Sequence, residues 1–158
     1  MTDHENLYWD TCVFARYLTQ RPSDLVTDIE DYIKDAENGD RSIFYSTISL
    51  VEIRRDMIRD GRSVEQFFQD MQKAFTAIEP NPNIMLLAGA LRDSPRRNPG
   101  DPKEPPENTR KLGTPDAIHL ATCIYAKTAL GIPDIVFHTL DEGKGTTWEG
   151  KCVPLIGL

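Results

Sequence analysis

Short apolar runs that end on a polar residue alternate along this chain with longer segments of helical spacing. Leu7 to Trp9 ends at Asp10, Ile43 to Tyr45 ends at Ser46, and Ile135 to Leu140 forms a third run. Their length and composition predict buried strands. Between the first two, Ser23-Asp24 opens a segment with Leu25, Ile29, Tyr32, Ile33 and Ala36 on one face, closed by Asn38-Gly39. That spacing predicts a helix with a glycine stop. Strand, helix, strand in this order points to a parallel sheet with crossover helices.

The pattern continues with Ser46 as an expected N-cap and Ile48, Val51, Glu52, Ile53 and Met57 at helical spacing until Asp60-Gly61. A further helix is expected from Ser63 to Phe75, with Val64, Phe67, Phe68, Met71 and Phe75 on its apolar face. Thr76 to Glu79 reads as a short strand stopped by Pro80 and Pro82. Ile84 to Leu91 reads as a buried helix whose alanines and Gly89 allow close packing. Thr114-Pro115-Asp116 is a helix entry, with Thr114 as N-cap and Pro115 in the first turn. That helix carries Ile118, Leu120, Ala121 and Ile124 to about Leu130, before Gly131 and Pro133. Residues 94–113 break the alternation with six prolines or glycines between Pro95 and Pro106, and a local excess of basic residues. They predict a long surface loop, either a solvated insertion or a flap that touches phosphates or a partner.

Composition narrows the class. A chain of 158 residues is long enough for one core and short for two, so a single domain over 1–158 is expected. The three cysteines, Cys12, Cys123 and Cys152, form no CxxC pair and suit structural thiols in a reducing compartment. No run approaches the ~18 apolar residues of a membrane span, and MTDHENLYW lacks the basic-then-apolar order of a signal peptide. A soluble cytoplasmic protein is expected. The formal charge of −7 alone argues against nucleic acid as a partner, because phosphate affinity comes mostly from basic residues.

Four acids change that inference. Asp10 in LYWDT, Glu52 in STISLVEI, Asp116 in GTPDAIHLA and Asp141 in FHTLDEG each follow or adjoin an apolar run. A carboxylate desolvated there needs a positive partner, yet no Lys or Arg lies within two positions of Asp10, Asp116 or Asp141. A shared divalent metal fills that need. Hard carboxylate oxygens suit Mg²⁺ or Mn²⁺, and no His/Cys cluster suggests zinc. In a parallel α/β sheet the carboxyl ends of neighbouring strands converge on one edge, where ligands bind. Two Mg²⁺ would bring the net charge to about −3 and make the site attract phosphate.

LYWDTCVF, STISLVEI, TPDAIHLATC and FHTLDEG resemble, in order and spacing, the motifs of the PIN-domain nucleases, and most of all the VapC-like toxins of toxin–antitoxin pairs. The resemblance runs from Leu7 to about Ile156. It implies a three-layer α/β fold with a central, mostly parallel sheet of about five strands flanked by helices. It implies a Mg²⁺- or Mn²⁺-dependent endoribonuclease acting on an RNA substrate, held inactive by an antitoxin and forming a homodimer. The family's acids map onto Asp10, Glu52, Asp116 and Asp141 as catalytic and metal-binding residues, with Thr139 as a supporting hydroxyl. Thr11 either bonds to a neighbouring acid or caps the helix that begins there. Cys12 departs from the Ser or Asn that the family often carries. The competing reading is a catalytically silent PIN-like module that binds protein, distinguishable by its indifference to metal. His119 reads as structural, and Phe67, Phe68 and Phe75 as core or a dimer surface.

Overall fold

The computed structural model describes residues 4–19, 24–93 and 113–140 and a short strand at 153–154. Of the expected insertion at 94–113 all but Gly113, together with the acid Asp141 and Cys152, lies outside the described residues. The chain divides into two compact units, Met1–Glu79 and Pro80–Leu158.

The first unit holds three parallel strands, β1 (Glu5–Trp9), β2 (Arg41–Ser46) and β3 (Phe75–Ile78), with β2 in the middle. The register sets Leu7 beside Ile43 and Ile43 beside Phe75. Parallel strands need crossover connections, and helices supply them. Between β1 and β2 run α1 (Thr11–Thr19) and α2 (Asp24–Glu37). Gly39, at φ +84°, closes α2 in the left-handed region that a side chain would disfavour. Arg41, at the start of β2, ties this corner together by bonding Asp35 at 2.9 Å, pairing with Glu5 and lying 4.5 Å from the centre of the Tyr32 ring.

An aromatic cluster fills the core of this unit. Trp9, Phe14, Tyr45, Phe67, Phe68 and Phe75 are all buried. Phe14 is its hub, with ring centres at 5.0 Å to Phe75, 5.4 Å to Phe68 and 5.5 Å to Trp9. Phe14 meets Trp9, Tyr45 and Phe75 edge-on, as the ring quadrupoles favour, while Tyr45 and Phe68 stack at 4.7 Å. The three phenylalanines Phe67, Phe68 and Phe75 are therefore core residues. Phe75 reaches that core from β3 and not from a helix, because α4 (Val64–Asp70) stops earlier than its apolar spacing suggests. Ser63 caps α4, its hydroxyl accepting the Gln66 N–H at 3.1 Å.

The region around Glu52 also departs from expectation. Ser46 ends β2, and its hydroxyl accepts the Ile48 N–H at 3.3 Å instead of capping a long helix. The N-cap is Ile48, and α3 (Ser49–Glu52) spans a single turn. Ile53 and Arg54 are extended, at ψ 119° and 146°, and a 3-10 turn follows at Arg55–Met57. The break lets Ile53 and Ile58 enter the core while Val51 stays 85% exposed. A continuous helix reads Val51 as part of its buried stripe, but tertiary packing overrides that local pattern.

In the second unit, α5 (Pro82–Asp93) packs on α6 (Thr114–Thr128), burying Ile84, Ala88 and Leu91 from the first. A Cβ placed on Gly89 meets nothing within 4 Å, so this glycine is not at a close approach. The N-cap of α6 is Gly113, whose carbonyl accepts the Ala117 N–H at 2.9 Å, while Thr114 is already helical. β4 (Val136–His138) follows and pairs antiparallel with β5 (Val153–Pro154). The α/β class and the count of five strands among the described residues agree with the sequence reading.

Candidate functional site

β1 and β2 are parallel, so both present their carboxyl ends on the same edge of the first unit. Asp10 leaves the end of β1 and leads into α1. Its Oδ1 accepts the Thr11 N–H at 2.7 Å, and its backbone carbonyl accepts the Val13 N–H at 3.1 Å. On its other oxygen, Oδ2, the Cys12 thiol approaches at 3.7 Å. Thiol donors are weak, so this contact orients the carboxylate without neutralising it.

Glu52 arrives from the neighbouring strand end. The two residues after β2 turn the chain into α3, and the brevity of that helix leaves Glu52 as its last residue. There, Glu52 Oε1 accepts the Thr11 hydroxyl at 2.8 Å, across 41 positions of sequence. Thr11 Oγ1 also lies 2.8 Å from the hydroxyl of Ser49, the first residue of α3. Thr11 thus binds the acid before it through its backbone and the distant acid through its side chain. Of the two roles the sequence left open for Thr11, the structure shows the bond to an acid.

Ser49 is wholly buried and Thr11 nearly so, at 9% exposure. Burial shields the Thr11–Ser49 bond from competing water, which makes it worth more than on the surface, while the Thr11–Glu52 bond is half-buried. Ser49 went unnoticed in the sequence because a serine three positions before a glutamate is compatible with any helix surface. Ser46 and Ser49, both buried, bracket Thr47-Ile48, and nothing in that local sequence separates them from surface serines.

The remaining predicted residues belong to the second unit. Asp116 lies in the first turn of α6, directly after Pro115, where the helix dipole favours an acid. His119, one turn on, is fully buried, in keeping with a structural role. Thr139 is buried just beyond β4. Cys123, also in α6, is buried, and desolvation holds its thiol far above the ordinary range. A cleft of about 450 Å³ exists in the first unit, lined by Leu50, Val64, Phe68, Phe75 and Ala77 with Glu65 and three other polar residues. Its walls are mainly apolar and hold one acid, so the Asp10–Thr11–Ser49–Glu52 cluster is where chemistry is concentrated.

The donor set of that cluster suits a hard divalent cation. Asp10 and Glu52 present carboxylate oxygens, the ligands that Mg²⁺ and Mn²⁺ prefer, with no imidazole among them. Among the described residues, no group of three or more His, Cys, Asp or Glu side chains forms a complete metal site. Two acids alone leave room for further oxygen donors.

A family profile described as PIN domain matches residues 7–143, most of the chain. The chain belongs to the PIN domain family. The match takes in Asp10, Glu52, Asp116 and Asp141. The fold is similar to that of a chain in the crystal structure of VapBC2 from Rickettsia felis bound to a DNA fragment from their promoter. The TM-score is 0.54 and the identity 14%, with 90% of this chain and 93% of that chain covered. At that identity the likeness speaks for the fold. No curated protein matches the sequence. Among the described residues of this PIN domain protein, no helix is long and apolar enough to cross a membrane.

Proposed function

We propose that this PIN domain protein is a metal-dependent endoribonuclease that hydrolyses RNA phosphodiester bonds, and that it serves as a toxin restrained by an antitoxin. The observation that carries the reading is the fastening of Asp10 and Glu52, from adjacent strand ends, to the same residue, Thr11. Membership of a family whose domains are generally nucleases supports it. The antitoxin is inferred from the motif resemblance, and a fold shared with a chain of a VapBC complex is consistent with it.

In this reading Asp10 and Glu52 hold Mg²⁺ or Mn²⁺, and Asp116 and Asp141 join them, as the sequence motifs imply. A single family match runs through the sequence of both units. A bound divalent cation supplies charge neutralisation for the phosphodiester and activation of water for attack. The chain's own groups do the positioning. Thr11 fixes the Glu52 carboxylate by donating its hydroxyl, and its N–H fixes one oxygen of Asp10. Thr139 is proposed as a further supporting hydroxyl. Negative charge at the site then serves metal capture, which reconciles a net charge of −7 with an RNA substrate.

Incubation of the purified protein with total RNA, followed by sequencing of the new ends, tests the reading. Cleavage in Mn²⁺ that stops in chelator is expected. Intact RNA under both conditions, with no stabilisation by Mn²⁺, would instead identify a silent binding module.

A further inference from the structure

We propose that Ser49 is a positioning residue of the nuclease site, acting on Glu52 only through the hydroxyl of Thr11. The inference rests on the nuclease reading above and extends it to a residue outside the four acids.

Proton counting sets the direction of the chain of bonds. Thr11 has one hydroxyl proton, and an ionised Glu52 carboxylate can only accept. The 2.8 Å contact from Thr11 Oγ1 to Glu52 Oε1 therefore uses that proton. At the 2.8 Å contact between Thr11 and Ser49 the remaining donor is the Ser49 hydroxyl. The order is Ser49 O–H to Thr11 Oγ1, and Thr11 O–H to Glu52 Oε1. Each donation polarises the next hydroxyl, so Ser49 strengthens the bond Thr11 makes to the acid.

Geometry makes the arrangement self-consistent. Ser49 and Glu52 are the first and last residues of α3, three apart and hence on the same side of that single turn. Thr11 bridges both ends of the turn from α1, which also explains why α3 remains ordered at four residues, too short to be stable alone. Ser49 is wholly buried, so water does not replace its hydroxyl as donor. Removing it leaves Thr11 bonded to Glu52 without the donation that polarises its hydroxyl. The consequence is a less fixed carboxylate and no lost ligand.

A double-mutant cycle with Ser49→Ala and Thr11→Val tests the order, read in two ways: Mn²⁺ affinity of the protein without RNA, and kcat and KM for RNA cleavage. Ser49→Ala alone is expected to weaken Mn²⁺ binding and lower kcat by about fivefold, with KM unchanged, and Thr11→Val alone by about tenfold. In the Thr11→Val background, Ser49→Ala is expected to add nothing, and Thr11→Ser is expected to keep near wild-type values. Ser49→Cys, close in volume and a poorer donor, replaces Ser49→Ala if the latter does not fold. Fully additive effects, or a Ser49→Ala protein with wild-type Mn²⁺ affinity and kcat, would overturn the positioning role while leaving the nuclease reading intact. A wild-type protein that neither binds Mn²⁺ nor cleaves RNA would overturn both.

Discussion

Trp9 and Thr11 stand two positions apart, one the last residue of β1 and the other the first of α1, and they enter two different kinds of interior. Trp9 joins a cluster of six aromatic side chains whose hydrophobic attraction grows with buried area, with ring geometry a smaller contribution. Its indole N–H finds no hydrogen-bond partner among the described residues, and burial of the ring outweighs that loss. Thr11 enters a small polar cluster in which every contact depends on where a proton points. The aromatic region sets whether the first unit folds. The hydroxyl region contributes little area and sets the directions of two carboxylates. The two are separable by mutation although they share a strand end.

The largest expected effects concern burial. Cys123 should react with a thiol reagent at least about a thousandfold more slowly than Cys12, because it becomes accessible only on global opening and its thiol is held protonated by desolvation. Mass-spectrometric mapping of the labelled peptides measures this; equal labelling of both would show that the interior of α6 opens locally. Next, Phe14→Ala should cost about 3–5 kcal/mol, since the hub of the aromatic cluster leaves a cavity bounded by Trp9, Tyr45, Phe68 and Phe75. Urea unfolding reads it, and a loss below about 1 kcal/mol would mean that the cluster repacks.

Thr11→Val gives the opposite profile. It is nearly isosteric, and its expected cost in stability is about 1–2 kcal/mol against about tenfold in catalysis. A variant as damaged in stability as Phe14→Ala would merge the two regions into one.

That contrast also explains what was legible in the chain. β1, β2, α2 and α6 are readable because their apolar spacing and their end signals are local: Asn38-Gly39 stops α2, and Pro115 lies in the first turn that opens α6. Glu52 was readable as an acid in an apolar setting, but its helix was not. Val51 matches a buried stripe by spacing, whereas only the packed unit shows that Val51 faces solvent and Ile53 turns inward. Phe75 misled in the same way, four positions after Met71 yet on β3. Ser49 was hidden for a stronger reason. Its partner is 38 positions away, and no local pattern carries a contact of that range.

The smallest expected effect lies at the surface of the first unit. Arg62 donates to Asp60 and Asp70, and these bonds hold both carboxyls below their ordinary value near 3.8. A lowered folded-state pKa gives stability that is present above about 3.8 and lost as pH falls through the lowered values. An Arg62→Met variant should thus show a slightly lower urea midpoint than wild type at pH 7, and the gap should close on acidification. Solvent screening of these exposed pairs keeps the gap small. A gap that persists unchanged at low pH would assign the effect to packing of Arg62 on the Phe67 ring, 5.4 Å from its centre.

The central claim, that the carboxylates fastened at Thr11 form a metal-dependent RNA-cleaving site, is tested most directly by comparing wild type with Asp10→Asn for Mn²⁺-induced thermal stabilisation and RNA cleavage in the same preparation. The account predicts that wild type is stabilised by Mn²⁺ and cleaves RNA, while Asp10→Asn keeps its metal-free Tm within a few degrees and loses both responses. Undiminished cleavage by a clean Asp10→Asn preparation would contradict it.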